Sequence, residues 1–130
     1  MISAARIRYR AKLVTMGLGV LVPKPRLTVS EHADRYRILS ADAGAVEPGK
    51  WSTDRVPYLR EIQDALGDPK YRRVVFKKSS QVGGSELGLN WFQSVVDQAP
   101  APFLVLWPTE TMLKLWSTTQ LGPLIRDSEC

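Results

Sequence analysis

The chain has 130 residues, 44% of them hydrophobic and 24% charged, which is the size and make-up of one globular domain and not of a disordered or fibrous chain. Its one Cys, Cys130, excludes an internal disulfide and a cysteine zinc cage, and its one His, His32, excludes a His-pair metal site and argues against a Ser-His-Asp triad. The net charge of +5 is unevenly placed: residues 1–26 hold six basic residues and no acid, whereas residues 27–130 hold 12 basic and 13 acidic residues.

Residues 1–26 read as a basic, poorly ordered arm. The apolar run Leu13–Val22 imitates the core of a secretory signal, but Pro23-Lys24-Pro25 follows in place of a small-residue cleavage site. The run is also far short of the ~20 residues that span a bilayer, so no membrane segment is expected. Gly17-Leu18-Gly19-Val20-Leu21-Val22 fails the dinucleotide fingerprint, because Val22 stands at the third glycine. Two readings of the arm stay open: contact with DNA phosphates, or a solvated, poorly ordered terminus or translated sequence upstream of the domain start.

Leu27–Glu31 opens a helix, with Thr28 and Glu31 at capping-box spacing, and the helix is expected to end near Leu39. Turn residues without a period make 40–53 a loop. A second helix is predicted over 56–66, with Pro57 in its first turn, Leu59, Ile62 and Leu66 as its apolar stripe, and Gly67 and Pro69 ending it. Arg72–Lys77 reads as a strand covered on both faces. A helix follows from about Ser85 to Asp97, with Leu87, Trp91 and Val95 inward. Phe103–Trp107 reads as a second buried strand, and a further helix is predicted over 110–118 with Leu113 and Trp116 inward. Trp91, Trp107 and Trp116 are expected in the core; Trp51 either covers a ligand or anchors its loop. The first strand lies about 30 residues before the second, the length of one right-handed βαβ unit. The fold class is therefore α/β, with parallel strands.

Between the first strand and its helix lies Lys78-Ser79-Ser80-Gln81-Val82-Gly83-Gly84-Ser85. Aligned with the phosphate-loop pattern G-x-x-x-x-G-K-[ST], Gly83 fills the second glycine and Ser85 the hydroxyl. Lys78 replaces the first glycine and Gly84 replaces the lysine. The chemistry can survive that exchange; the alternative is a Ser/Gly bend that only turns the chain between strand and helix. Consecutive backbone amides and a helix N-terminus hold the anion, Gly83-Gly84 frees the backbone to aim them, and Lys78 supplies the cation from the upstream side of the bend, with Lys77 behind it.

Several blocks resemble the lambda-type phage terminase large subunits: Leu27–Arg37, Pro48–Glu61, the loop Lys78–Glu86, and Pro108-Thr109 with Gly122-Pro123-Leu124-Ile125. The resemblance runs in order from about residue 27 to the end, and the loop looks like that family's deviant Walker A. It implies a P-loop NTPase (RecA-like) parallel sheet with flanking helices, of which residues 27–130 would be an incomplete N-terminal portion ending after the second strand. It further implies ATP and Mg²⁺ as cofactors, with Lys78 on the phosphates, Ser85 on Mg²⁺ through ATP, and Gln81 near the γ-phosphate. Tyr58 would approach the adenine; packing of its helix onto the sheet is the alternative. Double-stranded viral DNA, a terminase small subunit and the capsid portal are the implied partners, in the cytoplasm of a bacterial host. His32 departs from the Trp usual in that family.

Hydrolysis also needs an acid at the end of an apolar strand. After the loop the acids are Glu86, Asp97, Glu110, Asp127 and Glu129, and none ends a predicted strand. No catalytic set is complete, and no carboxylate cluster for a two-metal nuclease is evident. The sequence thus reads as the ATP-binding fragment of a DNA-packaging motor, expected to bind ATP weakly and not to turn it over alone. A DNA-contacting module acting through its arm, and an inert prophage remnant, are the rival readings.

Overall fold

The computed structural model describes residues 25–45 and 47–128. The basic arm therefore lies outside the described residues apart from Pro25 and Arg26, and so does Cys130. Thr28 starts helix α1, Val29–Tyr36, through the predicted capping box: the Glu31 amide donates to Thr28 Oγ1 at 3.3 Å, and the Thr28 amide donates to Glu31 Oε2 at 2.9 Å. Such a cap contributes about 1 kcal/mol. The helix ends earlier than expected because the next residues enter a sheet. Strand β1, Ile38–Leu39, pairs antiparallel with β2, Gly49–Lys50, Ile38 facing Lys50. The predicted loop 40–53 is thus an out-and-back excursion, with a 3₁₀ turn at Ala41–Ala43. Trp51 anchors its return: the ring is buried, and its N–H donates to Thr53 Oγ1 at 3.1 Å.

Pro57–Leu59 forms a 3₁₀ turn that leads into α2, Arg60–Gly67. Leu59 and Gln63 are fully buried, whereas Ile62 and Leu66 are half-buried, so the inward line is partly polar where the sequence suggested an apolar stripe. Helix α3, Gly84–Gln98, matches its predicted span within a residue at each end. Its buried residues are Leu87, Leu89, Asn90, Gln93 and Ser94; Trp91 and Val95 are half-buried at the margin. Helices α1, α2 and α3 pack on one another and enclose the core of Val29, Ala33, Leu59, Leu87 and Leu89. Full burial of a leucine there is worth about 1.5–3 kcal/mol.

Polar ties join these helices. His32, also fully buried, shares a 3.1 Å contact between Nε2 and Asp97 Oδ2 and packs its ring on Tyr36. Gln98 brackets the Leu27 backbone, accepting from its amide at 2.7 Å and donating to its carbonyl at 3.2 Å.

The C-terminal helix runs in three pieces: α4, Glu110–Trp116, a π-helical turn at Ser117–Leu121, and α5, Gly122–Asp127. Pro123 has no amide proton and its ring crowds the carbonyl a turn earlier. The π turn relieves that conflict, with the Gly122 amide donating back to Ser117 O. Pro123 and Leu124 are buried. Leu113, expected inward, is exposed, and Trp116 is half-buried against Trp107 at 5.8 Å.

The expected parallel sheet is not formed among the described residues, where the β1–β2 pair is the sheet. Arg72–Lys77 and Phe103–Trp107 carry no strand ladder, and each has one covered face, not two. Val74 and Phe76 are half-buried while Val75 is 82% exposed; Phe103, Val105 and Trp107 are half-buried while Leu104 and Leu106 are about 80% exposed. That alternation is the period of an extended chain lying on a surface. For Phe103–Trp107 that surface includes α3, whose Trp91 and Phe92 meet Phe103 edge-on at 4.8 and 5.2 Å.

Candidate functional site

The segment between Arg72–Lys77 and α3 turns sharply over Lys78–Gly83. Gln81 has φ of 57° and Gly83 φ of 75°, so the two backbone positions on either side of Val82 lie in the left-handed region. The second comes without steric cost, because Gly83 has no β-carbon; the first is an uncommon state for Gln. Leu59 fixes the bend from below: a β-carbon on Gly83 would stand 3.0 Å from Leu59 Cδ1.

Gly83 is the N-cap of α3, and the Leu87 amide donates to its carbonyl at 2.9 Å. No side chain caps the turn. The first-turn amides of Gly84, Ser85 and Glu86 therefore point toward the bend without a side-chain acceptor, at the positive end of a 15-residue helix. That is the electrostatic setting of an anion site.

Lys78 crosses this turn. Its ammonium lies 3.3 Å from the Ser79 carbonyl, and its Cδ and Cε lie against Gly84 so closely that a β-carbon there would overlap both and stand 3.3 Å from Nζ. The side chain from the upstream end of the loop thus occupies the space of the residue at the usual lysine position. Lys78, Ser79, Ser80, Gln81 and Ser85 are exposed, while Val82, Gly83 and Gly84 are half-buried. Lys78, Gly84 and Ser85 border a cavity of about 390 Å³ whose other wall is aromatic, including Trp91, Phe103 and Trp116.

Tyr58 also reaches the loop, its hydroxyl donating to the Val82 carbonyl at 3.4 Å with more than half of the residue exposed. The predicted residues 78–85 and 58 are therefore adjacent. Trp51, by contrast, is buried with Thr53 and covers no cavity of the loop. A larger cavity of about 770 Å³ lies elsewhere, and its ionisable lining is mainly acidic, with Glu61, Asp64 and Asp68 beside Arg26.

Behind the loop stands a group that sequence reasoning did not single out. Arg37, at the C-cap of α1, is 3% exposed and donates to Glu86 Oε2 at 2.8 Å, Asn90 Oδ1 at 3.3 Å and Ile38 O at 2.9 Å. Asn90 donates in turn to Gln63 Oε1 at 3.1 Å. The one local signal was Glu86, an acid directly after the serine of an otherwise cationic loop. The partner it needs is 49 residues away in sequence.

Among the described residues Mg²⁺ has no protein cage to sit in. No group of three or more His, Cys, Asp or Glu side chains able to hold a metal forms among the described residues. The exposed Ser85 hydroxyl fits a metal that is held chiefly by phosphate oxygens. Nor is any helix of the described residues long and apolar enough to cross a membrane.

Comparison with known proteins gives the family of the chain. The family model of the phage terminase large subunit gpA, ATPase domain, matches residues 45–130. The chain is 30% identical over 127 residues to the terminase large subunit of Escherichia phage lambda, an alignment that takes in 97% of this chain and 19% of that relative. No solved structure matches. With the family model covering the loop and most of the chain, this protein belongs to the phage terminase large subunit family, and residues 45–130 correspond to its ATPase domain.

Proposed function

We propose that the chain binds Mg²⁺-ATP through Lys78–Ser85, as the nucleotide-binding part of a motor that moves double-stranded viral DNA into a capsid. The amides of the bend and of the first turn of α3 take the phosphate oxygens. The Lys78 ammonium, arriving from the upstream side, offsets their charge. Ser85 holds Mg²⁺ through the bound nucleotide, Gln81 lies toward the γ-phosphate, and Tyr58 offers its exposed ring to the adenine. The observation that carries the reading is the overlap of the Lys78 stem with the space above Gly84, where the usual phosphate-loop lysine would stand. Residues 27–130 act in this reading as the N-terminal portion of the ATPase domain. The small subunit, the portal and the host cytoplasm come with the family and not from these residues.

Nucleotide turnover also requires an acid that polarises water, and Glu86, the acid of the loop, is engaged by Arg37. The chain on its own accordingly binds without hydrolysing. Thermal melting with and without Mg²⁺-ATP tests the binding: a ligand at about 100 times its Kd raises stability by ~2.7 kcal/mol. An upward shift that Lys78→Ala abolishes is expected. An unchanged melt at millimolar ATP, with salt-dependent DNA binding lost on removing residues 1–26, would favour the DNA-contacting reading instead.

A further inference from the structure

Resting on the nucleotide-binding reading, we propose that Arg37 is a positioning residue for the phosphate loop: it holds the Glu86 carboxylate off the amides that the polyphosphate needs. The argument begins with helix position. Gly83 is the N-cap of α3, so Glu86 is the third residue of the helix. From that position a glutamate reaches back to the amide of the N-cap. The same protein does this at α1, where Glu31 is third after Thr28 and accepts from the Thr28 amide at 2.9 Å. At α3 that contact would place a carboxylate inside the bend, in competition with phosphate for the same donors and against its charge.

Glu86 does not make it. Its Oε2 is instead 2.8 Å from Arg37 Nη2, on the face of α3 that meets α1, and no side chain caps the bend. The guanidinium is locked in turn by Asn90 Oδ1 and the Ile38 carbonyl, with Gln63 behind Asn90. A buried arginine is a costly way to join helices, since apolar residues of similar size commonly serve stability as well or better. What the arginine supplies here is a fixed counter-charge for the one acid of the loop's helix turn.

The test is Mg²⁺-ATP affinity of the full 130-residue chain, read with a fluorescent ATP analogue at a temperature where circular dichroism shows each variant folded. Arg37→Met frees Glu86 and is expected to weaken binding about tenfold, the effect of one nearby like charge in a partly screened site. Arg37→Met with Glu86→Gln removes the competing charge and is expected to return affinity to within about threefold of the unsubstituted chain, a rescue that lost packing alone would not give. Glu86→Gln by itself should bind at least as tightly as the original. Should Arg37→Met not fold, Arg37→Gln, which still donates to Asn90, takes its place with the same expected loss and the same rescue. Unchanged affinity on removing Arg37, or a double variant as weak as the single one, would overturn the positioning role while leaving the site intact. If the unsubstituted chain binds no Mg²⁺-ATP, the site itself fails, and the role of Arg37 with it.

Discussion

Lys78 and Gly84 occupy one another's space: the lysine stem lies where the first side-chain atom of any other residue at position 84 would have to go. The missing side chain at 84 and the displaced lysine at 78 are thus one feature, since each substitution in the phosphate-loop pattern makes room for the other. Gly84→Ala should push the Lys78 stem aside. Because that stem is the free end of a flexible side chain, stability should change by no more than about 0.5 kcal/mol. Mg²⁺-ATP affinity should fall roughly tenfold, the scale of one lost charge-assisted hydrogen bond. Titration calorimetry paired with a urea melt separates the two effects.

The floor of the loop gives a second expectation. Leu59 is fully buried and touches the space above Gly83, whereas Leu104 is 80% exposed. Leu59→Ala leaves a cavity under the bend and should cost about 2–5 kcal/mol. Leu104→Ala should stay within about 0.5 kcal/mol. Equal shifts in urea midpoint for the two would mean that the core described here is misplaced.

At the far end, Arg126 ties α5 to the excursion after β1, donating to Asp127 at 2.6 Å and to Asp42 at 2.9 Å. The hydrogen bond from Arg126, helped by Ser40, holds the Asp127 carboxyl below its ordinary value of 3.8, and the bonds to Asp127 and Asp42 raise the Arg126 guanidinium. A depressed folded-state value means that the unfolded chain binds the proton first as pH falls. The contribution is therefore complete above the ordinary carboxylate range and disappears as pH drops through the lowered value. Asp127→Asn should lower the urea midpoint slightly near neutral pH and leave it unchanged in strong acid. Because the pair is exposed, added salt should shrink the difference at neutral pH.

Helix α3 was legible because both ends are punctuated locally, by Gly83-Gly84-Ser85 before it and Pro100 after it, and the capping box of α1 was legible for the same reason. Tyr58 was expected near the ligand, and it does reach the loop, though through its hydroxyl on Val82. What the sequence hid was non-local. Gln63 and Asn90 look like surface residues until each is seen to complete the other from 27 positions away, and Arg37 looks like the solvated end of a helix until Glu86 meets it. The two apolar runs at 72–77 and 103–107 read as two-sided strands because continuous apolar sequence carries no mark of which face is covered. A strand also exists only against a neighbour, and among the described residues neither run has one.

The most direct test moves the lysine. Lys78→Ala should abolish the melting shift produced by Mg²⁺-ATP, and the double variant Lys78→Gly with Gly84→Lys, which restores the usual G-x-x-x-x-G-K-S order, should bring back at least half of it, because the stem that fills the space above position 84 is then gone. If Lys78→Ala binds Mg²⁺-ATP as tightly as the unsubstituted chain, the loop is a structural turn and the upstream lysine does not serve a phosphate site.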